Sequence, residues 1–247
     1  MQAWALITGA ARRIGKQIAT HAHQSGYNVI IHCNNNSQAA QVLAQQLNGL
    51  RAYSAVVEQA DLSVAADLTT LIDNVASRYP ALSLLVNNAS VFYPTAIVQS
   101  TTDDIDSMLA VNLVAPYRLA TGLKQVLASN SGCIVNLIDI HADKPLSGHG
   151  LYSISKAGLK MATLSLAQEL APNVRVNGVS PGAILWPTEG QQSQIDKVIE
   201  DIPLRHPGRA EDIADAVMFL VNASYITGQI IAVDGGRSAV GYQGAVE

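Results

Sequence analysis

The sequence has few charged residues, only two cysteines and no long apolar run. Charged residues make up 14% of the 247 residues and apolar residues 49%, a balance too apolar for a disordered chain. No apolar stretch reaches the roughly 18 to 20 residues that a membrane span requires. The first ten residues also lack the charged region and long apolar stretch of a secretory signal. These absences favour a cytoplasmic globular protein without a membrane partner.

The charge and the cysteines exclude further classes. The net charge is −4, the pI is about 5.8 and no basic block is present, so we expect no nucleic-acid partner. Cys33 and Cys133 would suffice for one disulfide, but both fall in or beside predicted strands. That position favours reduced, small core side chains. We expect no metal site.

Apolar runs alternate with helix-like segments along the whole chain. Strands are predicted at 4–7, 27–32, 52–57, 82–86, 133–138, 174–179 and 229–233. Helices are predicted at 14–26, 37–47, 63–79, 102–129 with a break near Pro116, 152–170 and 211–221. This order predicts an α/β fold in which residues 1–247 form one Rossmann-like domain. Its core would be a doubly wound parallel sheet of about seven strands with helices on both faces.

The least regular stretch, 180–207, holds several prolines and glycines, and most of it, 183–207, follows the last predicted motif of the sixth strand. It is either a loop that covers a substrate or an ordinary surface excursion.

A glycine-containing turn, TGAARRIG at 8–15, lies between the first strand and the first helix. Small residues there let the backbone approach a pyrophosphate, and the helix N-terminus offers free N–H groups. We predict cofactor contacts from Gly9, Arg12, Arg13 and Ile14. The turn resembles the TGxxxGxG signature of short-chain dehydrogenases, with Arg13 at the middle glycine. A cation at a helix start is unfavourable unless an anion is near, which favours an Arg13 that faces phosphate or substrate over a solvated one.

The end of the second strand bears on the choice of dinucleotide. An acid there would bind the ribose 2′-hydroxyl of NAD and repel the 2′-phosphate of NADP. Residues 32–37, HCNNNS, contain no acid, although they contain no arginine either. We therefore predict NADP(H), with Arg12 close by. The predicted contacts in this region are His32, Asn34, Asn35, Asp61 and Leu62.

Tyr152 and Lys156 open the helix that follows the fifth strand. Because positions i and i+4 share a helix face, the phenol and the ammonium can lean toward one point. A nearby ammonium lowers a tyrosine pKa, which would make Tyr152 a usable proton donor, and the lysine can also hold the nicotinamide ribose. The alternative is a pair of surface residues.

The other motifs of the short-chain dehydrogenases occur in register along essentially the whole chain, and all are expected at the carboxyl-end crevice of the sheet. The resemblance implies that Asn112 helps to relay protons through water. It also implies cofactor contacts from Asn88, Ala89 and Ser90 after the fourth strand, and from Pro181 and Gly182 after the sixth.

Asp139 lies thirteen residues before Tyr152, where most members of that family carry a serine that binds the substrate carbonyl. A carboxylate there would raise the pKa of Tyr152 and repel a forming oxyanion, which is a poor arrangement for ketone reduction. It suits a nitrogen heterocycle, whose ring N–H groups need an acceptor. A protonated Asp139 would also be able to pass a proton to Tyr152. The alternative is a solvent-facing aspartate in a turn.

Phe92, in the loop NASVFYPT at 88–95, is one of two phenylalanines. A flat ring could stack on it with the nicotinamide on the other side, unless Phe92 packs into the core. Ser90 could bond a pterin edge or the cofactor. With TGAARRIG, NNASVFYPT, Asp139 and SPGAILWP, the chain resembles the pteridine reductases. That resemblance implies a homotetramer and the NADPH-dependent reduction of a dihydropterin, or of dihydrofolate, to the tetrahydro form. The substrate contacts it implies are Arg13, Ser90, Phe92, Asp139, Tyr152, Leu185 and Trp186, with Pro187 in the covering loop.

Two other functions compete with this one. A 3-oxoacyl thioester reductase of the same fold predicts serine at position 139, where the sequence has Asp139. A non-catalytic NADP(H) sensor predicts a broken Tyr–Lys pair, whereas Tyr152 and Lys156 are both present.

Overall fold

The computed structural model describes residues 2–96, 98–184 and 192–240. Seven parallel strands form one sheet in the order β3-β2-β1-β4-β5-β6-β7. The strands are β1 (Trp4–Ile7), β2 (Asn28–Cys33), β3 (Ala55–Gln59), β4 (Leu82–Asn87), β5 (Cys133–Leu137), β6 (Arg175–Pro181) and β7 (Ile230–Val233). The strand order reverses between β1 and β4, and a crevice opens at such a point beyond the carboxyl ends of the strands. The predicted fold class is confirmed.

Helices cover both faces of this sheet. They are α1 (Arg13–Gln24), α2 (Ser37–Leu50), α3 (Ala65–Arg78), α4 (Thr102–Leu109), α5 (Ala115–Gly122), α6 (Lys124–Ser129), α7 (Gly150–Glu169), α8 (Gln192–Glu200) and α9 (Ala210–Asn222). Among the described residues, none of these helices is both long and apolar enough to cross a membrane.

The core has two layers because successive side chains of a strand point to opposite faces. From β1, Ala5 and Ile7 pack with α1, α2 and α9, whereas Leu6 packs on the other face with α3 and α5. Both faces of the central strands are therefore apolar, as expected for a parallel sheet covered on each side. Cys33 and Cys133 are buried and not disulfide-bonded, so the prediction of reduced core cysteines is confirmed.

The structure differs from the predicted elements at three places. β3 begins at Ala55 rather than 52, because Tyr53 adopts a left-handed φ of 56° that ends the preceding turn. The segment 102–129 is not one helix: a π-helical turn, Ala110–Val114, separates α4 from α5, and Pro116 lies in the first turn of α5. The stretch 183–207 was predicted to be irregular, but it contains α8.

Candidate functional site

A cavity of about 960 Å³ opens at the carboxyl ends of the strands. Most of the predicted site residues line it: Gly9, Arg12, Arg13, Ile14, His32, Asn34, Asp61, Leu62, Asn88, Ala89, Ser90, Phe92, Asp139, Tyr152, Lys156, Pro181 and Gly182. Asn35 and Asn112 are not among the lining residues, and Asn36 borders the cavity where Asn35 was expected. Leu185, Trp186 and Pro187 lie outside the residues that the structure describes.

The turn between β1 and α1 is closely packed against the loop that follows β4. The Asn88 side-chain amide donates to the carbonyl oxygens of Thr8 (2.8 Å) and Gly9 (3.2 Å). In return, the Thr8 hydroxyl accepts from the backbone N–H groups of Asn88 (2.9 Å) and Ala89 (3.0 Å). A Cβ at Gly15 would lie 2.4 Å from the Gly9 carbonyl oxygen and 2.5 Å from the Asn88 amide nitrogen, so only glycine fits there.

Arg13 stands where the signature has its middle glycine, and it keeps a backbone conformation that glycine favours. Its backbone φ is 54°, in the left-handed region where glycine is favoured, and it borders the cavity at the N-terminus of α1. A side chain in this conformation costs about 1–2 kcal/mol of backbone strain. With Arg12, it makes the start of α1 the cationic end of the cavity, which suits an anion.

His32 supports the turn instead of offering a polar atom to the cavity. The Gly9 backbone N–H donates to its Nδ1 (3.1 Å), and its Nε2 lies 3.1 Å from the Ala60 carbonyl oxygen. The ring therefore carries its hydrogen on Nε2 and donates it to Ala60. Burial lowers the pKa of His32 to about 4, so it stays neutral. Both ring nitrogens are engaged within the protein, which leaves neither for the predicted cofactor contact.

The polar residues at the end of the cavity beyond β2 and β3 form hydrogen bonds with neighbouring residues of the chain. Asn34 accepts from the Gln59 side-chain amide at its carbonyl oxygen (2.9 Å). The Asp61 carboxylate accepts from the hydroxyl (2.6 Å) and the N–H (2.9 Å) of Ser63, and these bonds lower its pKa. Asp61 is therefore ionised at neutral pH.

The predicted catalytic residues converge beyond β5. The Tyr152 hydroxyl donates to Oδ2 of Asp139 at 2.8 Å, and Oδ1 of Asp139 accepts from the His141 N–H at 2.8 Å. The latter bond caps the short 3-10 turn Ile140–Ala142 and fixes the carboxylate. Lys156 is buried, donates from Nζ to the Leu137 carbonyl oxygen (2.9 Å) and lies 5.7 Å from the centroid of the Tyr152 ring.

The electrostatics of this group correct one prediction. The pKa of Tyr152 is raised well above its ordinary value, first by burial and then by the charge and hydrogen bond of Asp139. The lowering expected from Lys156 is therefore wrong, whereas the raising expected from Asp139 is confirmed, because burial and the carboxylate determine the shift. Burial also lowers the pKa of Lys156 to about 8, against the opposing effect of Asp139. Tyr152 is consequently a protonated phenol near neutral pH.

Asn112 positions the loop after β4. Its Oδ1 accepts from the Ser90 hydroxyl (3.0 Å) and the Val91 N–H (2.9 Å), and its Nδ2 donates to the Val91 carbonyl (3.0 Å) and the Ser155 hydroxyl (3.1 Å). The π-helical turn that holds Asn112 is a feature frequent at functional sites. Its predicted part in a water relay stays a prediction.

Phe92 does not pack into the core. Its side chain is 54% exposed and borders the cavity. Its ring stacks on the ring of His149 (centroids 4.6 Å apart, planes 12° apart) and meets Tyr152 edge to face (4.8 Å, 84°). An accessible aromatic wall thus lies directly beside the phenol.

Several residues of this site carry little or no signal in the sequence. His149 has no motif to mark it. Thr8 was recognised only as part of the glycine turn, not as the hydroxyl that fixes the β4 loop. Arg237 borders the cavity because the Asp234 carboxylate accepts from the N–H groups of Gly236 (2.9 Å) and Ser238 (2.6 Å) and so folds the turn after β7. Two successive glycines, 235 and 236, are typical of a turn, but no residue pattern marks the arginine after them.

The sheet order, the glycine turn at a helix N-terminus and the buried Tyr–Lys pair define a class of protein, the Rossmann-like oxidoreductases. The comparisons agree. A family model described as enoyl-(acyl carrier protein) reductase matches residues 9–238. The chain belongs to the short-chain dehydrogenase/reductase family.

Two kinds of characterised relative are similar over nearly the whole chain. Pteridine reductase 1 of Leishmania tarentolae is 35% identical, with 95% of this chain and 96% of the relative aligned. The 3-oxoacyl-[acyl-carrier-protein] reductase FabG of Staphylococcus aureus (strain Mu50 / ATCC 700699) is 32% identical, with 94% of this chain and 96% of the relative aligned. An uncharacterised oxidoreductase of Bacillus subtilis, YmfI, is 36% identical over 96% of this chain and 99% of the relative.

Proposed function

We propose that this protein is an NADPH-dependent pteridine reductase that reduces a dihydropterin, and dihydrofolate where it fits, to the tetrahydro form. The observation that carries the proposal is the hydrogen bond from the Tyr152 hydroxyl to the Asp139 carboxylate in a cavity that Phe92 also borders. A carboxylate accepts from the ring N–H and amino groups of a pterin. It would repel the oxyanion that forms on a ketone.

The cavity fits a nicotinamide dinucleotide. Gly9 and Gly15 border the cavity at the start of α1, where a pyrophosphate would approach, and Arg12 and Arg13 add positive charge there. The segment 32–37 contains no acid to repel a 2′-phosphate, which supports NADPH over NADH. When bound, NADPH supplies the hydride. Asn34, Asn36 and Arg12 are the residues that would meet the 2′-phosphate.

The other half of the cavity fits a flat ring rich in nitrogen. Phe92 offers an exposed face for stacking, and aromatic pairs of this kind contribute about 0.5–1.5 kcal/mol beyond burial. Asp139 offers acceptor oxygens at the edge of the same space, while Arg13 borders it with donors and Ser90 with a hydroxyl oxygen that can accept. The pterin would therefore lie between Phe92 and the nicotinamide.

The protein would also supply the proton that the reduction requires. The carbon of the reduced C=N bond receives the hydride, and the adjacent ring nitrogen must receive a proton. Tyr152 is protonated and buried at this point. Its single hydrogen is donated to Asp139, and a pterin N–H would take its place there, so that the phenol could turn its hydrogen to the ring nitrogen and transfer it as a proton. Asp139 orients the phenol, and Lys156 would hold the nicotinamide ribose while its positive charge assists the phenolate that forms. Asn112 would hold Ser90 and Val91 of the loop after β4 beside this group.

Two further parts of the proposal concern the surroundings of the site. The stretch 183–207 would cover the pterin: Ala183, Ile184 and the α8 residues Ile195 and Val198 already border the cavity. We also propose a homotetramer in the cytoplasm. The contact faces would be the helices of 102–129 and α7, which expose large apolar side chains such as Ile105, Tyr117, Ile154 and Met161.

The similarity to the FabG reductase keeps a 3-oxoacyl thioester reductase as the second candidate. Its substrate would place a carbonyl oxygen against the Tyr152 hydroxyl. Asp139 lies beside that position, and its negative charge would repel the oxyanion that forms there, which disfavours this substrate.

A direct assay separates the two candidates. Purified protein is mixed with NADPH and either 7,8-dihydrobiopterin or an acetoacetyl thioester, and the loss of NADPH absorbance is followed. We expect a much higher kcat/KM for the dihydropterin. A higher kcat/KM for the thioester would overturn the pterin assignment and leave the family assignment intact.

A further inference from the structure

The loop after β4 contacts the N-terminal end of α7 through its backbone at Thr95. We call residues 88–96 the strap. The Thr95 N–H donates to the Gly148 carbonyl oxygen at 2.7 Å, and Thr95 pairs with His149 in an isolated parallel bridge. Phe92 lies on this strap, so the position of the aromatic wall depends on how the strap meets the residue just before α7.

Hydrogen bonds hold both the backbone and the ring of His149, whereas the Phe92 ring that it contacts can make none. Its N–H donates to the Leu146 carbonyl (3.1 Å), and its own carbonyl accepts from the Ser153 N–H (3.0 Å). Its ring Nδ1 lies 3.1 Å from the Ser147 carbonyl oxygen, so Nδ1 carries the hydrogen that is donated there. Backbone and ring are thus both fixed at the start of a helix.

Phe92, by contrast, is 54% exposed on the strap and has ring contacts on two sides. The ring of His149 stacks on it nearly parallel (4.6 Å, 12°), while Tyr152 meets it edge to face (4.8 Å, 84°). Because the contact with Tyr152 alone would allow the phenyl ring to tilt, the parallel stack is what fixes its plane.

We propose that His149 is a positioning residue for the substrate: it fixes the plane of Phe92 and thereby the width of the slot that receives a flat ring. The inference rests on the proposed function for the identity of that ring. It assigns His149 no contact with the reacting atoms. A flat side chain is needed at this position because only a planar ring can stack parallel on Phe92.

Kinetics of a double-mutant cycle test this role. The four proteins are the wild type, His149→Ala, Phe92→Leu and the double variant, and His149→Phe is the conservative variant that keeps a planar ring. We expect His149→Ala to raise KM for 7,8-dihydrobiopterin about three- to tenfold, the loss of one aromatic stack, with kcat and the KM for NADPH unchanged. We expect His149→Phe to restore the wild-type KM. In the Phe92→Leu background, His149→Ala should have no further effect.

Two outcomes would overturn the proposal. One is a fall in kcat with KM unchanged in His149→Ala. The other is that the two substitutions raise KM independently, so that their effects multiply in the double variant. Either outcome would show that His149 does not act through the Phe92 ring.

A crystal structure of His149→Ala separates this inference from the proposed function, since it requires no substrate. We expect the Phe92 ring to leave its edge-to-face position against Tyr152. An unmoved Phe92 ring would refute the positioning role, whatever the enzyme reduces. If the ring moves but the wild type fails to reduce any dihydropterin, the proposed function is wrong and the positioning role stands.

Discussion

Asp139→Asn is the substitution that tests the chemistry of the site most closely. Asparagine keeps the shape of the side chain, and its Oδ1 can still accept from the His141 N–H and cap the turn Ile140–Ala142. What is lost is the negative charge that accepts the Tyr152 hydroxyl at 2.8 Å. The amide would place an N–H at the phenol oxygen, so the acceptor for the phenol hydrogen, and for a pterin N–H at the same position, would be lost.

The magnitude follows from the bond that is lost. A hydrogen bond to a charged group contributes about 1.5–3 kcal/mol, which corresponds to roughly a 10- to 150-fold change in rate. We therefore expect kcat for the dihydropterin to fall about 10- to 100-fold. The pKa of Tyr152 is raised by burial and by Asp139, so removing the carboxylate lowers it. The alkaline limit of the kcat profile should then move to lower pH, because the phenol loses its proton earlier.

The assay is steady-state kinetics across neutral and alkaline pH, with Asp143→Asn as the matched control. Asp143 lies at the end of the same turn, is exposed and pairs with Lys160 at 2.5 Å. Its substitution should leave kcat and the pH profile unchanged. A wild-type kcat in Asp139→Asn, or an alkaline limit that moves upward, would refute the account of Asp139.

Three other predictions follow from the same contacts. Gly15→Ala should weaken NADPH binding and lower the unfolding free energy by about 1–3 kcal/mol, because its Cβ would lie 2.4 Å from the Gly9 carbonyl oxygen. Gly49→Ala, where a Cβ meets open space, should have neither effect. Fluorescence titration with NADPH and thermal melts measure the two effects. Tyr152→Phe should abolish turnover and keep NADPH binding; retained turnover would exclude Tyr152 as the donor. Lys156 has a pKa lowered from 10.5 to about 8, so the unfolded chain binds more protons between these values. As the pH increases from about 8 to 10.5, the unfolding free energy of the wild type should therefore rise relative to that of Lys156→Met. Denaturant titrations at a series of pH values measure it, and a fall would show that the pKa of Lys156 is not lowered by burial.

Periodicity and motif placement predicted much of the fold and of the site. Alternating strands and helices determined the sheet, and because parallel strands end at one edge, the residues after each strand were expected to converge. Asp139, Tyr152 and Phe92 do lie together in the structure. The local sequence pattern and the parallel order of the strands were sufficient to predict that these three residues meet.

Long-range contacts and burial account for what sequence reasoning missed. His32 is engaged by Gly9 and Ala60, which only the folded register of β1, β2 and β3 brings together. The pKa of Tyr152 depends on how completely the ring is buried, which i,i+4 spacing does not reveal. The stack of His149 on Phe92 joins two loops far apart in the chain, and no residue pattern signals it.

The central claim is that a pterin ring lies between Phe92 and the nicotinamide with its nitrogen-bearing edge at Asp139. A crystal structure with NADP⁺ and 7,8-dihydrobiopterin bound tests it most directly. We expect the ring to stack on Phe92, an Asp139 carboxylate oxygen to accept from a pterin N–H, and the Tyr152 hydroxyl to lie within hydrogen-bond distance of the ring. A pterin bound elsewhere, or Asp139 turned away from it, would contradict the account.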